Sequence, residues 1–422
     1  MSLHSPLAKT AAETELAQAF GVLEAPSAER AGAFADFAKV GLPTRRLESW
    51  HYTDLRAAMR NAAPLASKPD AARIVAAREA LDMLVRLGEF RFVLVDGHFV
   101  EELSDSAPEG LGLATIPEPA PIKSADALVL LNEAFTPAAL SLVAGEGAGL
   151  AGPIEIVHCT SPGAPRAVYS RVVARLHAGA SGAFVETFVG AGAGAQRNSV
   201  TQLTLDAGAR CEWATFIDDA PDLHLESQFV TVGRGGEFNG FALVPSGGLV
   251  RRQIFAVHSE PSAKLAFSGL SLLDGKRLAD TTLEVVHGAP QGTSREFYRH
   301  IVADEAVGVY QGKVIVEQFS QKTDGGMKSQ AILLSPTAVM NNKPELEIFA
   351  DDVVCGHGAT VGALDPAQIF YLEARGIPRA EAEAMLLQAF GVEAIEKLAD
   401  PVLIDAAVRR AQAWLNRRGT GQ

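Results

Sequence analysis

The sequence predicts a mainly β fold, a β-solenoid core between N-terminal and C-terminal helical domains, and three observations carry that expectation. From about Pro153 to Leu364, short alternating runs rich in Val, Phe, Thr and Leu are separated by Gly, Asp, Asn and Ser, with almost no helical periodicity. Within that stretch three pieces share apolar alternation about a central glycine: Phe238-Asn-Gly240-Phe-Ala-Leu, Phe267-Ser-Gly269-Leu-Ser-Leu and Tyr310-Gln-Gly312-Lys-Val-Ile. Their glycines lie 29 and then 43 residues apart, a spacing that suits a solenoid of variable turn length better than a propeller of fixed blades. After Asp365 the pattern turns abruptly helical. A β-sandwich is the competing all-β arrangement. In the solenoid reading glycine serves the tight turns, and Phe238, Phe267 and Val309 point inward.

In chain order, residues 1–150 read as an N-terminal helical and mixed domain, 151–364 as the solenoid, and 365–422 as a C-terminal helical subdomain. Ser27 is a candidate N-cap, Phe34, Phe37 and Ala38 stand at helical spacing, and Gly41 with Pro43 ends that helix. Phe90, Phe92 and Leu94 alternate up to Asp96-Gly97, a type I′ hairpin signal, with Phe99 on the return. The proline-rich Ser106 to Lys123 segment reads as a linker or surface crossing. At the other end Asp365 caps a helix with Pro366 at its first position, and Gly376 closes it. Ala382, Met385, Leu386, Ala389 and Phe390 then form one apolar stripe ending at Gly391. A third helix starts at Asp400-Pro401, and Arg409, Arg410, Arg417 and Arg418 lie toward its C-terminal end.

Composition narrows the function classes. With 37 basic against 50 acidic residues the formal net charge is −13, which repels phosphate backbones and argues against nonspecific nucleic-acid binding. No run approaches the ~18 apolar residues of a membrane span, and the Met1 to Thr10 start has no cationic patch before an apolar run, so a cytoplasmic protein is expected. Cys159, Cys211 and Cys355 are odd in number, far apart and outside any CxxC spacing, so no disulfide framework is expected. Three thiols also fall short of the four that an ordinary iron-sulfur cluster or a four-Cys zinc site takes, so metal chemistry would recruit another residue type or another chain.

Walker A, GxSxG and HExxH patterns are absent, and the Gly190-Ala-Gly192-Ala-Gly194 cluster is followed by a β run rather than the helix a phosphate loop needs. The constellation that stands out is Cys355-Gly-His357-Gly-Ala-Thr360, preceded by Glu345, Glu347, Asp351 and Asp352. On an extended chain residues i and i+2 share a face, so the thiolate and imidazole could address one soft or borderline metal, with the glycines letting the backbone bend around it. On spacing alone the bland alternative is a core cysteine and a surface histidine. His158, His258, His287 and His300 show no shared spacing and read as structural or solvent-facing.

As a whole, the chain resembles the SufB/SufD family of the SUF iron-sulfur cluster assembly system, on its SufD side. The carriers are Pro43-Thr-Arg45-Arg-Leu-Glu48-Ser-Trp50-His-Tyr52-Thr53, the block Lys343-Pro-Glu-Leu-Glu347-Ile-Phe-Ala-Asp351-Asp-Val-Val-Cys355-Gly-His357-Gly-Ala-Thr360, and Ile369-Phe-Tyr371-Leu-Glu-Ala-Arg375-Gly376. Gly356 departs from a serine frequent in the family. The resemblance implies a right-handed parallel β-helix and a non-catalytic scaffold working with SufB and the SufC ATPase. It implies a SufB contact at the rim of the β-helix, with His357, and with it Cys355, at a transient cluster shared with SufB. No permanently bound cofactor is expected, and a homodimer is an option for the isolated chain. The C-terminal subdomain would be the SufC dock, with Tyr371, Arg375, Met385, Leu386 and Phe390 as its contact residues. The rival reading is a β-helix polysaccharide lyase or hydrolase using the carboxylates Glu345, Glu347, Asp351 and Asp352.

Overall fold

The fold is that of a computed structural model, which describes residues 8–190, 194–218, 222–245 and 247–419. Part of the Gly190 to Gly194 cluster, and the start of the chain through residue 7, lie outside the described residues.

Strands alternate between two sheets, so that each coil of chain lays one strand on each. One sheet has ten strands and runs from the Phe90–Val95/His98–Phe99 hairpin to Val354–Gly362; the other has nine and runs from Leu111–Ile116 to Val339–Ile348. Successive coils pair in parallel, as Leu249 with Leu278 and Leu278 with Val307. This is the expected parallel β-solenoid with helices at both ends of the chain. The sheets reach back before Pro153. Phe90–Val95 pairs in parallel with Ile154–Cys159, and Leu111–Ile116, inside the stretch read as a linker, pairs antiparallel with Ala139–Ala144.

The interior between the sheets is apolar through most of its length, with Phe92, Phe184, Trp213, Phe238, Phe267, Leu283 and Val314 among its buried residues. Phe238 and Phe267 therefore point inward as expected. Val309 does not. Tyr310, Val314 and Val316 of its strand are interior, so strict alternation puts Val309 on the outer face. Its register partner Asp280, and Arg251 next to that, are there covered by the N-terminal segment. The chain beyond each sheet buries the outer face as well, so apolarity alone loses the phase.

The three glycines that framed the repeat are not turn residues. None has a positive φ, and all lie within strands. A Cβ on Gly269 would stand 2.7 Å from the Tyr298 ring, and one on Gly240 would stand 2.8 Å from the Phe238 ring. They make room for aromatic rings in the lumen. Gly312 makes room for the Met327 side chain and the Tyr310 hydroxyl but belongs to the other sheet, which is why its spacing looked irregular. Positive φ serves instead at the hairpin, where Asp96 (φ 50°) and Gly97 (φ 84°) form the I′ turn.

Helices Ala28–Val40 and Ala127–Phe135 close over the nine-stranded sheet, while helix Ala71–Asp82 packs on the ten-stranded one. Helix Ala28–Val40 starts at Ser27 and stops at Gly41 (φ 68°), and it buries Ala33 and Phe37 while Ala38 stays exposed. The Pro43–Thr53 segment that carries the resemblance is a clamp on this sheet. Trp50 lies 4.4 Å from the guanidinium of Arg251, Arg251 pairs with Asp280 at 2.5 Å and donates to the Ser49 carbonyl at 2.7 Å, and the Thr53 hydroxyl donates to Asp280.

The C-terminal helices, Pro366–Glu373, Arg379–Ile395 and Pro401–Gly419, lie on the outer face of the ten-stranded sheet. The first is capped by Asp365 with Pro366 in its first turn. The second does not stop at Gly391, which falls mid-helix where a Cβ would come within 3.1 Å of Leu270. Its buried face is Ala382, Leu387, Gly391, Ala394 and Ile395, so of the predicted stripe Ala382 is buried and Phe390 partly packed while Met385 and Ala389 are exposed, because close approach to the sheet selects that line. Arg410 pairs with Asp218 of the solenoid at 2.7 Å instead of serving the helix end. No helix among the described residues is long and apolar enough to cross a membrane.

Candidate functional site

Cys355 and His357 lie on Val354–Gly362, the last strand of the ten-stranded sheet, which is hydrogen-bonded to a neighbour along one side only. Val339–Ile348 ends the other sheet in the same way. The solenoid therefore finishes in two strand edges whose outward N–H and C=O groups have no strand partner.

Alternation along this edge strand separates two faces. Cys355 packs half-buried against the interior apolar cluster, its sulfur toward Gly325. His357 shares its face by parity, pairs in register with Met327 and is exposed. Gly356 and Gly358 face the opposite way with open space where a Cβ would be. Burial pushes the Cys355 thiol up from its ordinary range, against a hydrogen bond from the Gly325 N–H, so unaided it stays a thiol near neutral pH.

The other thiols are elsewhere. Cys211 is fully interior, and burial pushes its pKa up strongly. It belongs to the row that passes through Phe238, Leu265, Ser294 and Gly325 to Cys355, about 24 Å away at the usual strand spacing. Cys159 lies in a separate cluster under helix Ala71–Asp82. Among the described residues no three His, Cys, Asp or Glu side chains group to hold a metal ion.

Of the predicted helical contact residues, Tyr371 and Met385 are 56% and 45% exposed, and exposed Arg375 stacks 4.7 Å over the Tyr371 ring. Phe370, beside them and 71% exposed, went unremarked in the sequence because it reads as core. Leu386 is half-buried. Phe390 is turned to the solenoid, with Arg299 4.5 Å above its ring.

Three of the four carboxylates of the lyase reading pair with lysines. Glu345 pairs with Lys343 at 3.1 Å, Glu347 with Lys313 at 2.8 Å, and Asp352 with Lys322; Asp351 is exposed. Glu345 and Glu347 face the clamp segment, where Lys343 also reaches Glu48 at 2.9 Å.

The lumen holds Glu186, Glu226 and Arg252, which the sequence did not single out, and histidines that it read as structural or solvent-facing. Glu226 and Arg252 form a two-point pair at 2.9 and 2.8 Å. Glu186 accepts from Trp213 at 2.9 Å and Thr201 at 3.0 Å and lies 3.0 Å from His158. His258 and His287 are register partners whose rings stack at 4.1 Å. One signal was available: these two histidines are separated by the 29 residues of a coil.

The SufBD core domain family of the SUF system for FeS cluster assembly matches residues 158–390, more than half the chain and including the edge strand. The chain belongs to this SufBD family. It is similar to the iron-sulfur cluster assembly protein SufD of Escherichia coli (strain K12), with 27% identity over 409 residues and 94% of each chain. Shorter stretches are 30% identical to a SufBD family protein of Synechocystis sp. (181 residues, 43% of this chain and 40% of that one) and to SufD of Bacillus subtilis (124 residues, 29% and 28%). As a SufBD protein it belongs to SUF iron-sulfur cluster assembly, and the clamp and edge strand that carried the resemblance are respectively a structural brace and the end of the solenoid.

Proposed function

We propose that this chain is a non-catalytic scaffold subunit that builds nascent clusters together with SufB, in the cytoplasm, while an ATPase partner of the SufC type docks on its C-terminal helices. The observation that carries the proposal is the free edge strand with Cys355 and His357 on one face. Two unpaired strand edges are a template for another sheet, and a SufB rim is the partner that fits there; a second copy of this chain would use the same edges when SufB is absent. Only one thiol of this chain reaches that rim, so a cluster, which is cargo rather than a resident cofactor, draws its remaining ligands from the partner. Neutral imidazole suits His357 to join it.

The exposed Tyr371, Arg375 and Met385, with Phe370, are the ATPase contact, while Leu386 and Phe390 serve it by holding the helices in place. Deleting the residues after Asp365 is a poor test of this. It would strip cover from Phe241, Leu270, Leu272 and Ile301 and expose a large apolar face. Co-purification with SufB and SufC partners from the same source, using a Tyr371→Ala/Met385→Ala variant, avoids that. SufC recovery should fall roughly tenfold or more with SufB recovery kept; undiminished SufC recovery refutes the dock.

For the cluster site, His357→Ala should leave complex yield and melting temperature unchanged and lower the iron and sulfide recovered with the complex. Cys355→Ala should have the smaller effect, since that thiol is partly packed into the core. Normal cluster content in His357→Ala together with a lowered melting temperature would make the histidine structural.

A further inference from the structure

Outside the lumen, on the face of the ten-stranded sheet beside the C-terminal helices, a half-open trough of about 710 Å³ crosses five strands. Its floor follows the register row Asn239, Ala266, Arg295, Gly326 and Gly356, four strand spacings or about 19 Å. One row over, Phe297 pairs with Lys328, and Lys328 with Gly358. The wall is the turn carrying Lys397. The size falls within the ~300–1,000 Å³ of small-molecule sites, and small and apolar groups over most of the floor with a few polar ones at the sides is their usual lining.

The charge arrangement is what points to a ligand. Lys397 Nζ lies 4.9 Å and Lys328 Nζ 5.8 Å from the centre of the same Phe297 ring. Neither ammonium has a carboxylate partner among the described residues, whereas the neighbouring cations do: Arg295 pairs with Asp324 at 2.5 Å, and Arg299 pairs with Glu393. In a chain of net charge −13, two cations over one ring with no carboxylate partner leave a local positive field beside the Phe297, Gly326 and Gly358 part of the floor. An anion between them neutralises that field, and an apolar body fills the trough.

We propose that this trough binds a small organic anion, its carboxylate, phosphate or sulfonate group held between Lys328 and Lys397 and its apolar or aromatic body lying along Phe297 toward Gly326 and Gly358. The glycines at 356 and 358 thereby acquire a role of their own: on the strand whose inner face carries Cys355 and His357, they keep the outer face bare.

The probe is 8-anilinonaphthalene-1-sulfonate, an aromatic sulfonate, titrated by fluorescence into the full chain. Saturable binding at one site, weakening with added salt, is expected. Lys328→Gln/Lys397→Gln should weaken it roughly tenfold or more. Gly358→Trp should abolish it, because the indole would occupy the trough; its position has open space and ordinary φ, so the melting temperature should not change. Binding that does not saturate, or that survives both variants at wild-type strength, overturns the proposal.

Discussion

Arg252→Leu is expected to cost about 3–5 kcal/mol of folding stability, measured by urea denaturation at neutral pH. Arg252 and Glu226 face each other across adjacent coils inside the lumen, both almost fully buried, with two hydrogen bonds between them. Burial alone would push the Glu226 carboxyl up. The guanidinium, its hydrogen bonds and His224 overcome that and hold it down to about 2, so the group is an anion at neutral pH. Removing the arginine leaves that anion, or a proton it must take up, inside an apolar cylinder. The double variant Arg252→Leu/Glu226→Leu separates the loss of the pair from the loss of volume. Two leucines should restore most of the stability, since a buried ion pair returns little beyond its own desolvation. A double variant as unstable as the single one would mean that packing around the arginine stem, and not the orphaned carboxylate, sets the cost.

That pair also explains which parts of the molecule could be read from the sequence. The β region was legible because most inward positions are apolar and alternate, as at Phe238 and Phe267. The coil length was not, because the same inward rows carry Glu226, Arg252, His258 and His287, which break an apolar repeat. Val309 was misassigned for the complementary reason: the clamp around Trp50 covers the outer face there, so both parities are buried. The helix stripe through Met385 and Ala389 failed because an amphipathic pattern does not say which of two apolar lines meets the sheet. Gly391, small enough to approach Leu270, decides it. At the rim, the i, i+2 rule placed Cys355 and His357 on one face, but that their strand is an edge depends on where the coils stop, which is a property of the whole stack.

Stability should pass through a maximum near pH 7 and fall on both sides, with opposite groups responsible for the two limbs. Burial lowers His258 to about 4, His300 to about 3, and His287, with His258 stacked on it, to about 3. The unfolded chain takes up these protons below ~6.5 while the folded chain refuses them until pH 3–4, so stability is lost as pH falls through that window. Glu226, held low in the fold, adds to the loss between its ordinary value and about 2. Glu296 has the reverse sign. Burial raises it to about 8, against weaker pulls from Ser294 and Arg295, so the folded chain keeps a proton that the unfolded chain gives up near ~4.5, and stability declines as pH rises toward 8. Below 6.5 three histidines outweigh one carboxyl and the net slope is positive. The unfolded-state histidines are about half protonated at pH 6.5 and about a tenth at 7.5, so Glu296 prevails only from about pH 7 upward, with a limiting slope of at most about 1.4 kcal/mol per pH unit for one proton. Glu296→Gln keeps the shape and removes the proton, so urea midpoints of this variant should climb to a plateau by about pH 7.5 and show no decline to pH 8, while its acid limb is kept. A wild-type curve that does not decline between pH 7 and 8, or a variant that declines there, would mean that Glu296 is ionised in the fold and that an unidentified group compensates it.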